Sequence, residues 1–262
     1  MPRQREAPQR PVDELQQVVV TGPPAARLAL VDAGPHDGPP LLFIHGVGGY
    51  HAQWSAQLPA FAAHYRCLTP SLRGHGPSET TGGPYTMERL TNDITQLLAL
   101  RGIGGPVDII AHSYGGLLAL DLALQRPALV RKLVLIAIAE EMNFGTFFRL
   151  VATWPMPTGI LDMLRRRFLA DRFYATVRVM QAIMREAVLP WQGWATLEQV
   201  AQPVLLLAGQ FDVVASPQAV RPLAHRFPCG QLAVIRNARH KVQLQRPAAV
   251  NERIKTFLDE PF

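Results

Sequence analysis

One run constrains this chain more than any other: Val107-Asp108-Ile109-Ile110-Ala111-His112-Ser113-Tyr114-Gly115-Gly116. A mainly apolar, β-branched stretch reads as a buried strand. It meets a serine, two glycines follow, and Leu117, Leu118, Ala119 and Leu120 then begin a helical pattern. A strand that turns directly into a helix needs strained dihedrals at the turn and small neighbours around it. Such a turn lifts the serine hydroxyl clear of the backbone, and the helix N-terminus aims its N–H groups at any oxygen bound there. The run therefore reads as a nucleophile elbow with Ser113 at its tip.

The chain has 262 residues, of which 48% are hydrophobic and 18% charged, which suits one domain or a core domain with an insertion. The formal charge of +6 comes mostly from arginine. The arginines are scattered, and the one cluster, Arg165-Arg166-Arg167, falls in an amphipathic helical pattern with no nucleic-acid motif beside it. No nucleic-acid partner is expected. The 2 cysteines, Cys67 in a strand pattern and Cys229 in a loop, suggest neither a disulfide framework nor a metal site. Residues 1–17 are expected to be a disordered tail rather than a signal peptide, since the start is rich in Pro, Arg and Gln without an apolar centre. No apolar run is long enough to span a bilayer, so the expected location is cytoplasmic.

Strand and helix signals alternate, which argues for a mostly parallel sheet with helices on both faces. Strands are expected at 18–21, 27–31, 41–45, 65–69, 107–111, 133–139, 204–208 and 231–235. Helices are expected at 51–64, 86–101, 114–125, 218–227 and 248–258. Residues 18–139 and 203–262 form the α/β core in this reading, and 140–202 form a helical cap inserted after the sixth strand. Helical patterns inside the insertion cover 143–153, 159–169 and 172–187. It holds Phe144, Phe147, Phe148, Trp154, Trp191 and Trp194, with Met142, Met156, Met163, Met180 and Met184. These side chains would fill the cap's own core and give it an adaptable apolar underside. Phe144, Phe147, Trp154 and Met184 are the expected substrate contacts.

A serine nucleophile needs a base, and the base needs an orienting acid. The seventh strand pattern ends in Gly209-Gln210-Phe211-Asp212, and the eighth is followed by Arg236-Asn237-Ala238-Arg239-His240. In a parallel sheet both loops open at the same edge as the elbow, so Ser113, Asp212 and His240 can converge. The rival acids are Glu140 and Glu141, after the sixth strand. His45 and His75 read as structural members of their turns, Trp54 as packing, and His51 as a candidate for the entrance. His112 should point away from the substrate, because alternate strand residues face opposite ways.

Taken together, four stretches resemble the α/β-hydrolase superfamily from about Val18 onward. His45-Gly46-Val47-Gly48-Gly49 resembles its oxyanion loop, and Leu72-Arg73-Gly74-His75-Gly76 resembles the turn after the next strand. Ala111 to Gly116 resembles the elbow, and Gly209 to Asp212 with His240 resembles the acid and base loops. The elbow has Ala111 where glycine is more usual. Ser71 stands where relatives often have Asp, and Gln245 stands near where a Glu often follows the histidine; both are expected to be structural. The resemblance implies an eight-stranded α/β-hydrolase fold, an oxyanion hole from the amides of Val47 and Tyr114, and no metal or organic cofactor.

The fold hosts many reactions, so the site must decide among them. A serine at the elbow argues against relatives that use aspartate there, such as haloalkane dehalogenases and epoxide hydrolases. The leading expectation is hydrolysis of small to medium apolar carboxylic esters or lactones by a monomer or homodimer, with a small ester-like molecule as its partner. Hydrolases of carbon–carbon bonds rank second; they usually carry an aromatic residue after the histidine, where Lys241 stands here. Behind them stand an acyltransferase, a lyase and a ligand-binding receptor, each built on the same scaffold.

Overall fold

Near-continuous apolar runs give strands buried on both faces, and strands of that kind pair in parallel under covering helices. The computed structural model describes residues 14–22, 24–140, 158–169 and 173–261. Its strands are β1 (Leu15–Val20), β2 (Ala26–Ala33), β3 (Pro40–Ile44), β4 (Arg66–Pro70), β5 (Val107–His112), β6 (Val130–Ile136), β7 (Val204–Gly209) and β8 (Gly230–Ile235). They form one 8-stranded sheet in the order β1-β2-β4-β3-β5-β6-β7-β8. β2 pairs antiparallel with β1 and β4; every other pairing is parallel. At the edge, β1 turns Val18 and Val20 inward and leaves Val19 exposed, the alternation of a strand with one wet face. The eight expected strands are all present, with ends shifted by a few residues. β1 starts inside the span read as a tail, because Leu15 already pairs with Val31 of β2; residues 1–13 lie outside the described residues.

The helix Met87–Leu100 buries Leu90, Ile94, Leu97 and Leu98 along one stripe, as its spacing predicts. Thr86 caps it, accepting the Arg89 N–H at 3.2 Å, although the sequence lacks a capping box. The single helix expected over 51–64 is instead a 3-10 turn, His51–Trp54, followed by a short helix, Leu58–Phe61. Pro59 is tolerated only in a first helical turn, so a helix restarts around it. Gln57, just before, donates to the Gln243 carbonyl at 3.0 Å and to Asn251 at 3.1 Å, fixing the break against the C-terminal part of the chain.

In the insertion between β6 and β7, the structure describes helices Thr158–Phe168 and Val177–Ile183, a π-helical turn Met184–Val188 and a 3-10 segment Gly193–Gln199. The pattern at 143–153 lies outside the described residues. Of the segment expected to be helical over 172–187, residues 173–176 are not helical and the helix starts at Val177, where Thr176 caps the turn by accepting the Val179 N–H. Polar tethers join the insertion to the rest. Trp191 Nε1 donates to Asp121 at 3.0 Å, and Glu186 accepts the Tyr85 amide at 2.7 Å. The Tyr174 amide donates to the Gly48 carbonyl, and its carbonyl accepts the Gly76 amide, both at 2.7 Å.

The turn after β4 is held by a buried ion pair. Arg73, 0% exposed, donates through Nε and Nη2 to both oxygens of Asp93 at 2.8 and 2.9 Å, and through Nη1 to the Pro24 carbonyl at 2.9 Å. Removing Arg73 leaves the buried Asp93 with only the Arg89 guanidinium, whose Nε lies 3.5 Å from Oδ1, and breaking a buried pair costs up to about 3–5 kcal/mol. Arg73→Ala is therefore expected to lower unfolding stability by about that amount. An unchanged urea midpoint would show that the pair is not integral to the fold.

Candidate active site

Ser113 links β5 to the helix Tyr114–Gln125 with φ 51° and ψ −123°, a left-handed conformation that a serine adopts only under constraint. The Ser113 amide donates to the Ile136 carbonyl at 2.8 Å, and the Ser113 carbonyl accepts the Gly116 amide at 2.8 Å. The following helix then crosses so close to β3 that a Cβ on Gly115 would lie 2.6 Å from the carbonyl oxygens of Ile44 and His45. This close approach is what Gly115, the first of the glycine pair, serves. The Tyr114 amide opens the helix, where N–H groups have no intrahelical acceptor. The Tyr114 ring, 2% exposed, belongs to the core.

The three distant side chains meet. His240 Nε2 lies 3.1 Å from Ser113 Oγ, and His240 Nδ1 lies 3.0 Å from Asp212 Oδ2. The other Asp212 oxygen accepts the amides of Val214 at 2.8 Å and Ala215 at 3.1 Å. Burial pushes the Asp212 pKa up, but the His240 contact and these amides outweigh it and hold the carboxyl below its ordinary value. A carboxyl depressed on folding adds stability that is complete above the unfolded-state carboxylate range and is lost as pH falls through its folded value. With Asp212 ionised, the imidazole must present Nδ1–H to it and leave Nε2 as an acceptor for the serine proton. The rival acid Glu140 is engaged elsewhere, accepting from Arg226 at 2.9 Å. Glu141 lies outside the described residues.

A cavity of about 220 Å³ opens above Ser113 and His240, with a mainly apolar lining. Gly46 and Val47 form one wall, and Phe173 and Val214 contribute the apolar surface. Polar side chains also reach it: Gln53, His112 and Lys241. A larger hollow of about 420 Å³, edged by Phe211, Arg239 and Arg246, does not reach Ser113, so the triad geometry rather than volume marks the site. Of the expected substrate contacts, Phe144, Phe147 and Trp154 lie outside the described residues. Met184 is buried in the π-helical turn and does not line the cavity; Phe173, from the loop before the helix Val177–Ile183, does. Only the packing of the insertion over the sheet brings Phe173 there, so nothing in the local sequence marks it.

The histidines separate clearly. His45, fully buried, donates from Nδ1 to the Gly46 carbonyl at 2.8 Å and accepts the Leu72 amide on Nε2 at 2.9 Å. Burial drives its pKa well down. His75 donates to the Arg73 carbonyl at 3.0 Å, and burial lowers it to about 4. His51 is not at the cavity; Ser71 Oγ contacts its Nδ1 at 2.9 Å and accepts its amide at 3.1 Å. His112 departs from the alternation argument. As the last residue before the elbow it leaves regular strand geometry, lines the cavity and donates Nε2–H to the His240 carbonyl at 2.9 Å. Burial lowers its pKa to about 3, which keeps it neutral. Gln245 accepts the Arg239 amide at 2.6 Å and so braces the His240 loop. Among the described residues no group of three or more His, Cys, Asp or Glu could hold a metal ion, and no helix is long and apolar enough to cross a membrane.

Comparisons with known proteins agree with this architecture. The family pattern described as alpha/beta hydrolase fold matches residues 39–179, and that of the TAP-like proteins matches residues 182–261. The chain is 25% identical to (E)-2-((N-methylformamido)methylene)succinate hydrolase of Acinetobacter baylyi, over 85% of this chain and 91% of that protein. It is 27% identical to the sn-1-specific diacylglycerol lipase ABHD11 of Danio rerio, over 86% of this chain and 80% of that protein. Among solved structures, a hydrolase from Pseudomonas aeruginosa PA01 superposes with a TM-score of 0.77 at 26% identity, covering 95% of this chain and 100% of that one.

The two elbow glycines are expected to differ in their tolerance of a methyl group. Gly115→Ala meets backbone carbonyls on β3, whereas Gly116→Ala meets the flexible end of the Ile138 side chain at 2.8 Å. Overpacking of this kind costs about 1–3 kcal/mol where neighbours are rigid. Thermal denaturation should show the larger loss for Gly115→Ala; equal midpoints would contradict the close approach described.

Proposed function

Because the chain belongs to the α/β-hydrolase fold family, we propose that it is a serine hydrolase that cleaves small to medium, largely apolar carboxylic esters or lactones through an acyl-enzyme on Ser113. The observation that carries this reading is the continuous Asp212–His240–Ser113 contact chain, with spacings of 3.0 and 3.1 Å, opening into an apolar-walled cavity.

In this mechanism His240 Nε2 takes the Ser113 proton as Oγ attacks the ester carbonyl. Asp212 fixes the imidazole tautomer and stabilises the imidazolium that forms. The carbonyl oxygen becomes an oxyanion and accepts hydrogen bonds from the amides of Tyr114 and Val47. Each such donor is worth about 3 kcal/mol of barrier. The carbon–oxygen bond then breaks, and the alcohol leaves with the proton from His240. A water enters, gives a proton to His240 and attacks the acyl carbon. The acid departs as Ser113 regains its proton. His112 acts as a positioning residue, since its bond to the His240 carbonyl fixes the backbone that carries the base. In this reading the insertion between β6 and β7 is a cap, and its Phe173 shields the reacting carbonyl from bulk water.

Turnover of short-chain p-nitrophenyl esters is expected, and Ser113→Ala should abolish it. Asp212→Asn should lower kcat by about 10⁴-fold, because the amide favours the wrong histidine tautomer. Equal rates in wild type and Ser113→Ala would overturn the reading.

A further inference from the structure

Among the described residues, Phe173 is the one side chain of the insertion that lines the catalytic cavity. Its ring lies on the glycine-rich loop after β3: a Cβ on Gly48 would stand 2.6 Å from Phe173 Cδ1 and 3.3 Å from Met180 Sδ. Gly48 has φ 72°, so glycine there serves both the turn and the ring packed on it. The backbone that carries Phe173 is pinned to the same loop. Its carbonyl accepts from Arg165 Nη1 at 2.7 Å, its amide donates to the Leu169 carbonyl at 3.2 Å, and the next residue, Tyr174, makes the bonds to Gly48 and Gly76 described above.

The rest of the lining comes from two directions. Gly46, Val47 and Gly49 belong to the loop after β3, whereas Val214, His240 and Lys241 belong to the loops after β7 and β8. In the sheet, β3 lies on one side of β5 and β7 and β8 lie on the other, so the two groups flank Ser113. His240 supplies the proton on which an alcohol departs, which assigns the alcohol of a bound ester to its side. The acyl chain is left to the β3 side, under Phe173. The cavity, at about 220 Å³, is also smaller than the roughly 300–1,000 Å³ usual for drug-sized ligands.

We propose that Phe173 sets the length of the acyl group, so that the preferred substrates are esters of short acids with up to about four carbons and the alcohol extends toward the opening. This proposal rests on the ester-hydrolase reading of the Ser113 site and specifies its substrate class. Phe173 acts by occupying the space that a longer chain needs, and Gly48 gives the ring the flat backing that holds it there.

The test measures kcat/KM for p-nitrophenyl acetate, butyrate, hexanoate and octanoate on wild type, Phe173→Leu, Phe173→Ala and Phe173→Trp. The leaving group is common, so only the acyl chain varies. Wild type should prefer butyrate to octanoate by about tenfold or more, the discrimination that a closed apolar pocket supports. The ratio should fall through Phe173→Leu to near one in Phe173→Ala, and Phe173→Trp should move the optimum to acetate. Ethyl and octyl acetate vary the alcohol instead, and Phe173→Ala should leave their ratio unchanged. A wild-type enzyme that accepts octanoate as well as butyrate overturns the length limit and leaves the hydrolase reading intact. A loss equal for all four esters, or a change confined to the alcohol pair, also overturns it. Calorimetric binding of n-butylboronic and n-octylboronic acid separates the two readings. Tighter binding of the butyl compound that is lost in Phe173→Ala, with no ester turned over by wild type, would support the length limit and remove the hydrolase reading. Neither turnover nor boronic acid binding would overturn both.

Discussion

The arrangement depends on one backbone turn. Ser113 occupies a left-handed conformation at φ 51°, which costs a non-glycine residue about 1–3 kcal/mol and persists only where surrounding structure fixes it. Here the surroundings are specific. β6 holds the Ser113 amide through the Ile136 carbonyl, and the helix start lies against the carbonyls of β3 with only glycine between them. The hydroxyl is thereby held within reach of His240, at 3.1 Å from its Nε2. A relaxed turn would carry Ser113 back toward the strand line and away from His240.

Asp212 and His240 are positioned together rather than separately. A Cβ on Gly209 would lie 2.4 Å from the Arg239 carbonyl, so the β7 and β8 loops touch through their backbones. Phe211 donates its amide to the Ala238 carbonyl at 2.8 Å, and Gln210 donates to Ile235 at 3.0 Å. With β7 and β8 paired in parallel up to Gly209 and Ile235, these contacts fix the spacing of Asp212 and His240 before their side chains meet. His112 then ties the β5 end to the His240 carbonyl, closing a ring of contacts through all three loops. For the hydrolysis proposed above, a cavity wall built in this way would need little rearrangement as charge develops on the bound carbonyl, which is the condition for electrostatic preorganisation.

Much of this was legible from residue order, because it depends on local signals. Buried apolar runs marked the strands, the Ser-Tyr-Gly-Gly step marked the elbow, and an Asp and a His after consecutive strands marked the converging loops. What was not legible depends on packing between distant segments. The helix expected at 51–64 breaks ahead of Pro59, at 55–57, with Gln57 bonded to residues 243 and 251, partners that no local window contains. Strand alternation misplaced His112, because the alternation ends where the chain turns. Phe173 and Gln53 carry no motif at all. One reaches the cavity through the tether of Tyr174 to Gly48 and Gly76, the other through the 3-10 turn that follows Gly49. Residue type alone also favoured Met184 as a contact, although its backbone turn buries it.

In the proposed reaction the constrained turn makes Ser113 the group that accepts the acyl unit. Rapid acid quenching during turnover of p-nitrophenyl butyrate, followed by peptide mass spectrometry, tests it directly. A butyryl adduct is expected on the peptide containing Ser113, confined to that serine. Turnover with no adduct, or with the adduct on another residue, would contradict it.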